Sequence, residues 1–292
     1  MRYRVTHETA YAYDELVSIC HNEIRLEPRE TARQRRLASS LSIEPEPGET
    51  HRECDYFGNP THFFTVEDPH HRMVLVAASE IELSPSPERG DGPAWDDLRS
   101  ALAADRSRDG LAARELGFAS PLVPIADAFA AYAASCFPQG RAILPAVVEL
   151  THRIHADFAY RPGATSVETP VGDVLEAREG VCQDFAHVEI ACLRALGLPA
   201  RYVSGYLHTR PAAGGARLVG ADASHAWVSV YCGAAGWVDV DPTNDLLVSD
   251  GHVTLAWGRD YADVSPIKGV LLGGREHTVE VAVEVAPLLA NN

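Results

Sequence analysis

The sequence predicts an α+β fold, with a β-rich amino-terminal region followed by a core in which a cysteine opens a helix packed on an antiparallel sheet. Three observations predict it. Met1 to about Leu83 reads as short β-rich runs, alanine-rich helical text follows, and beyond that a cysteine-led helix precedes strictly alternating strands. At 292 residues and 46% hydrophobic content, the chain can bury a sizeable core.

In order, "YRVTHETAYAY", "LASSLSIEPEP", "THFFTVED" and "MVLVAASEIEL" are strand-like runs set apart by Pro, Gly and Asn, and they predict a β-sandwich or small β-domain over 1–86. The stretch "SPSPERGDGP", Ser84 to Pro93, is dense in Pro, Gly and charge and marks a boundary. A helical connecting segment is expected over 87–145 and the core over 146–292. Ile143, Val147, Leu150 and Ile154 recur at helical spacing. "GVCQDFAHVEIACLRALGLPARY" is a helix with Phe185, Val188, Cys192 and Leu196 on one stripe, ended by Gly197 and Pro199. "ARYVSGYL" is the next strand. "SHAWVSVYC" and "GWVDVDPT" alternate across a short Gly-bounded connection and form a hairpin. "HTVEVAVEVAPL" alternates again, so a final half-buried strand closes the core, its pairing left open.

Composition excludes some functions. A formal net charge of −16 disfavours nucleic acid and anionic membranes, so neither is an expected partner. The first residues carry no signal-peptide core and no apolar run reaches spanning length, so a cytoplasmic location is expected. The six cysteines are scattered without CxxC spacing, which predicts reduced thiols rather than a disulfide framework or zinc site. His62, His70 and His71 lack ligand spacing, and no metal or cofactor is expected.

Chemistry concentrates in three places. Cys182 falls at the first turn of its helix, where unpaired N–H groups and the dipole favour a thiolate. Taken alone, it would more often be a small buried residue. Period two puts His225, Trp227, Ser229 and Tyr231 on one face of their strand, and Trp237, Asp239 and Asp241 on one face of the next. Matching buried faces pairs odd residues with odd, which sets His225 opposite or diagonal to Asp241 or nearby. An isolated strand histidine is usually packed and neutral, and an Asp before Pro is often a turn starter. Their joint occurrence with a helix-start cysteine favours a site, with cysteine, histidine and acid in complementary roles. His187 is rotated away from Cys182, Cys192 lies too far along the axis, and Asp184 is expected as a helix-end stabiliser.

With these residues in view, the chain resembles the bacterial transglutaminase-like family, papain-related cysteine enzymes with a Cys-His-Asp site. "GVCQDFAH" resembles the nucleophile motif, "SHAWVSVY" the histidine strand and "GWVDVDPTND" the acid strand. By position Cys182, His225 and Asp241 correspond to nucleophile, base and orienter, with Asp239 the nearby competitor. "YRVTHETAYAY", "NEIRLEPRE" and "DYFGNPTHFFTVEDPHH" resemble the β-rich region that precedes this core in many bacterial members. The resemblance implies thiolate attack on a peptide, isopeptide or other amide, giving a thioester on Cys182 that water or an amine resolves. Backbone N–H groups at the helix start are the natural oxyanion donors, with Tyr160, Gln183 and Trp227 as further oxyanion or substrate-lining residues. Protein-glutamine transamidation, a non-catalytic binding scaffold and an interaction module built on the β-rich region are the alternatives. The Gly58–Asn59 turn in "DYFGN" is expected to approach a neighbouring domain.

Overall fold

The computed structural model describes residues 1–86, 90–208 and 224–288, so 87–89, within the expected boundary, lie outside the described residues. The chain opens on β1 (Arg2–Ile24), a strand of 23 residues in which Tyr3, Val5, His7 and Thr9 are buried in alternation. β2 (Gln34–Glu44), β3 (Glu49–Cys54), β4 (Pro60–Val66) and β5 (His70–Leu83) join it in the order β2-β5-β1-β4-β3. An irregularity after Ala12 divides β1, so that its first half pairs β5 and its second half pairs β4.

Helices α1 (Trp95–Ala104), α2 (Arg108–Glu115) and α3 (Asp127–Ala133) fill the connecting segment, and α4 (Ile143–Asp157) runs across its expected end at 145. Ile143, Val147, Leu150 and Ile154 are all fully buried, as their spacing predicts. β6 (Ala159–Tyr160), α5 (Val171–Ala177) and β7 (Glu179–Gly180) lead into α6 (Cys182–Ala195). Every residue of α6 from Asp184 to Arg194 is buried, more than the single stripe expected, because the sheet packs on one side and α3, α4 and α5 on the others. Gly197 ends it with φ +79°, the left-handed conformation its residue type accommodates.

β8 (Ala200–Leu207), β9 (His225–Tyr231), β10 (Trp237–Asp241), β11 (Leu246–Leu247) and β12 (His252–Gly258) form a second, antiparallel sheet in the order β11-β10-β9-β8-β12. Beyond α7 (Tyr261–Val264), β13 (Ile267–Gly273) and β14 (His277–Pro287) leave the core and run antiparallel along β1. The final strand, grouped with the core by sequence, therefore completes the first sheet. Val283 and Val285 account for this, since they pack on the cluster of Tyr3, Val5, Ile81 and Leu83 that also takes Tyr206, Val253 and Leu255 from the core.

That cluster joins the two layers, and β12 adds hydrogen bonds to it. As an edge strand, β12 presents backbone groups that need partners. The Gln34 side-chain amide supplies them at Thr254, donating to its O at 2.6 Å and accepting from its N at 2.8 Å. Asn59 does the same at Trp257, with both bonds at 2.9 Å. Gly58 turns with φ +76° to deliver Asn59, so the "DYFGN" loop does reach the core.

Candidate active site

The α6 amino terminus is built to hold Cys182 still. Asp184 Oδ2 accepts from Val181 N at 2.7 Å and from the Thr165 hydroxyl at 2.6 Å, capping the first turn as expected. A Cβ at Gly180 would lie 2.6 Å from that carboxylate oxygen, so only glycine allows so close an approach. Burial raises the Asp184 pKa, against the lowering effect of its two hydrogen bonds. β6 pairs β7 with Tyr160 beside Gly180, which brings the phenol to the start of α6. Burial, then the nearby Cys182 and Asp184, push the Tyr160 hydroxyl up to about 12. Tyr160 is 36% exposed and Gln183 half-buried, so both can face a ligand arriving at the half-buried Cys182.

The hairpin has the expected register, with Trp237 opposite Tyr231, Asp239 opposite Ser229 and Val240 opposite Val228. Asp241 is thereby set diagonal to His225, and the His225 Nε2–H donates to its Oδ2 at 2.7 Å. Both side chains are fully buried. Burial alone would lower the imidazole pKa, but the charge and hydrogen bond of Asp241, and then the Cys182 thiol, outweigh it and hold the ring well above its ordinary value. Asp241 is held far below the carboxylate range, since its partners overcome the cost of burial. With Nε2 committed, Nδ1 is the nitrogen left to exchange a proton with sulfur, and it has no hydrogen-bond partner among the described residues. Asp239 makes no bond to the ring; it acts instead through space on Arg201.

Two residues at the site carried no sequence signal that was read. Asn244 donates to Asp241 Oδ2 at 2.8 Å and lies 3.3 Å from His225 Nε2, lying over the His–Asp bond. Its place three positions after Asp241 could have revealed it, because Asp241 Oδ1 accepts from Thr243 N at 3.0 Å and Asn244 N at 3.2 Å, a turn that aspartate commonly makes. His252, from the start of β12, directs its Nε2 at the same Asp241 Oδ2 from 3.3 Å, and no local spacing announces it.

Trp227 departs from expectation. It is fully buried, 5.3 Å from His252 and 6.2 Å from His225 by ring centroids, and packs with Val203 and Val248. Both faces of β9 are covered, Ala226, Val228 and Val230 lying in the core with α6 and Trp227 packing on Val203 and Val248, so Trp227 backs the imidazole and offers no surface to a substrate. Gly205 makes room for it, since a Cβ there would meet the indole at 2.4 Å.

The remaining candidates are structural. His187 is buried, accepts from Tyr261 N at 3.2 Å and lies tilted against Tyr202, 5.0 Å between ring centroids. Cys192 is fully buried, and burial, then Glu189 and Cys136, raise its thiol. His62 pairs with Glu27 at 2.8 Å, and His70 bonds Asp68 O at 2.8 Å. The ligand atoms of His225, Asp241 and His252 lie within 4.8 Å of one another, a spacing that could hold a cation. Both imidazoles already share one Asp241 oxygen, and those hydrogen bonds account for the geometry.

Comparison with known proteins agrees with this architecture. Residues 3–82 match the bacterial transglutaminase-like N-terminal region, and residues 131–242 match the transglutaminase-like superfamily. An uncharacterized protein of Mycobacterium bovis is 42% identical over 98% of this chain and 93% of its own length. One of Mycobacterium leprae is 34% identical over 98% and 99%. A protein-glutamine gamma-glutamyltransferase of Pseudomonas aeruginosa is 39% identical over 93 residues, 30% of this chain and 14% of that protein. A solved structure from Cytophaga hutchinsonii, described as a candidate cysteine protease, superposes with a TM-score of 0.80 over 100% of this chain and 92% of that one, at 23% identity. Two matched regions in this order, and relatives aligned from end to end, place the chain in the transglutaminase-like superfamily, among members that carry the bacterial N-terminal region.

Proposed function

We propose that the protein cleaves peptide, isopeptide or other amide bonds through an acyl-thioester on Cys182. The observation that carries this reading is the buried His225 held by Asp241 on Nε2 and left open on Nδ1 toward the cysteine at the start of α6. In the proposed sequence His225 Nδ1 takes the thiol proton and sulfur attacks the carbonyl carbon. Backbone N–H groups of α6, with the Tyr160 hydroxyl, hold the oxyanion. Collapse breaks the C–N bond, and the imidazolium gives its proton to the departing amine. Water, deprotonated by the same nitrogen, then attacks the thioester, releasing a carboxylic acid and restoring the thiol. The candidate-protease description of the Cytophaga hutchinsonii structure is consistent with hydrolysis. A cytoplasmic setting would keep all six free thiols reduced.

Transfer to an amine is the second reading, favoured by the 93-residue match to the gamma-glutamyltransferase. Turnover of peptide and γ-glutamyl amide substrates, with and without a primary amine, separates the two. Hydrolysis predicts acid product whether or not amine is present; transfer predicts that amine diverts the acyl group. No labelling of Cys182 by a thiol-directed electrophile, with the fold intact, would leave a binding scaffold instead.

A further inference from the structure

The face of the second sheet turned away from α6 meets the amino-terminal layer across a cavity of about 330 Å³ that Cys182 does not line. Arg201, Trp237, Asp239, His252 and Trp257 line it from the core, and Arg33, Gln34 and Leu83 from the other layer. Arg201 is 9% exposed, and its guanidinium stacks 4.3 Å from the Trp237 ring and 3.7 Å from that of Trp257. Its Nε has no hydrogen-bond partner among the described residues, and Asp239 influences it without forming an ion pair. Arg29 lies on Trp257 as well, 3.2 Å from its ring centroid, adding positive charge nearby. A buried arginine held in place by two indoles, with no carboxylate in ion-pair contact among the described residues, is a receptor for one.

The rest of the wall asks for more than an anion. Asp239 brings a carboxylate into the same cavity. His252 donates through Nε2 to Asp241, which leaves its buried Nδ1, without a partner among the described residues, as an acceptor. Leu83 and Val248 add apolar surface. We propose that the cavity binds a free α-amino acid, its carboxylate on Arg201, its ammonium between Asp239 and His252 Nδ1, and an apolar side chain against Leu83 and Val248. The site is separate from the proposed cleavage at Cys182 and touches it only through His252.

Titration calorimetry on the full chain tests this with L-leucine and L-phenylalanine, using acetate and isobutylamine as half-ligands. One of the two amino acids should bind at a single site, and each half-ligand at least ~10-fold more weakly. Arg201→Met and Asp239→Asn should each weaken binding by ~10-fold or more, while Cys182→Ala leaves it unchanged. Should Arg201→Met fail to fold, Arg201→Lys keeps the charge but loses the planar stack and should also weaken binding. No saturable binding of either amino acid at millimolar concentration would overturn the proposal. So would acetate binding as tightly as the amino acids, or binding lost in Cys182→Ala and kept in Arg201→Met.

Discussion

Asp241→Asn removes one charge and leaves the side-chain shape almost unchanged. Asp241 Oδ1 caps Thr243 N and Asn244 N, and an asparagine oxygen can do the same, so the turn should survive. The other side of the group fares differently. Oδ2 accepts from His225 at 2.7 Å, Asn244 at 2.8 Å and His252 at 3.3 Å, and an amide NH₂ there meets three donors. His225 can answer only by moving its proton to Nδ1, the nitrogen that has to receive the one from sulfur. Loss of the charge adds to this: a unit charge about 4 Å from the ring at an effective dielectric of about 20 is worth about 4 kcal/mol, or ~10³-fold in imidazolium population. The assay is the second-order rate of Cys182 alkylation by chloroacetamide between pH 6 and 8, with the modified residue read by mass spectrometry. Asp241→Asn should react ~10²–10³-fold more slowly, and Asp239→Asn within about threefold of the parent. A well-folded Asp241→Asn protein alkylated at the parental rate would refute the assignment of Asp241 as the group that polarises His225.

Cys182→Ala should abolish acyl-thioester formation seen by intact-mass spectrometry, whereas Cys192→Ala, in the core, should retain it while losing about 1 kcal/mol of stability in urea denaturation. Glu189 is fully buried, and burial, opposed by the Thr151 hydroxyl at 2.7 Å and helped by Asp241, pushes its carboxyl up to about 8. The folded state therefore holds a proton that the unfolded chain releases above about 4.5, so stability falls as pH rises from there to about 8. Glu189→Gln should flatten that decline, a difference of about 3 kcal/mol at pH 7 in urea midpoints taken across pH. His187 works in the opposite direction: burial pushes it down to about 4, so stability is lost as pH falls from 6.5 through 4, and His187→Gln should blunt the acid limb of the same curve. A fragment beginning at Gly90 loses the whole of β1, against which β13 and β14 pair, and should be insoluble unless 1–86 is co-expressed, as fractionation would show.

What could be read in advance was local. Strict alternation in "HAWVSVY" and "WVDVD" determined which side chains share a face, and that parity is enough to bring Asp241 to His225. The start of α6 could be read because Cys182 and Asp184 belong to one helical turn and Gly180 stands just before it. His252 could not, because it reaches Asp241 from β12 at the far edge of the sheet, beyond β8, and nothing in "HVTLAWG" records which strand it will neighbour. The burial of Trp227 was hidden for a similar reason. Period two tells which face a residue takes, but only the packing of distant residues such as Val203 and Val248 decides whether that face meets water. The destination of β14 was equally unreadable, since its Val-Glu alternation suits any half-covered sheet.

The pairing of β14 with β1, Tyr3 to Pro287 at one end and Tyr13 to His277 at the other, bears on how the molecule is made. Once made, β1 waits for β13 and β14 before its sheet is complete. During synthesis β1 has β5 on one side and an open flank on the other, a row of backbone groups available to any passing strand. Closure over so long a separation is entropically slow. A polypeptide truncated anywhere before about residue 277 therefore keeps that flank uncovered, and would be marked for aggregation or degradation even if Cys182, His225 and Asp241 were all in place.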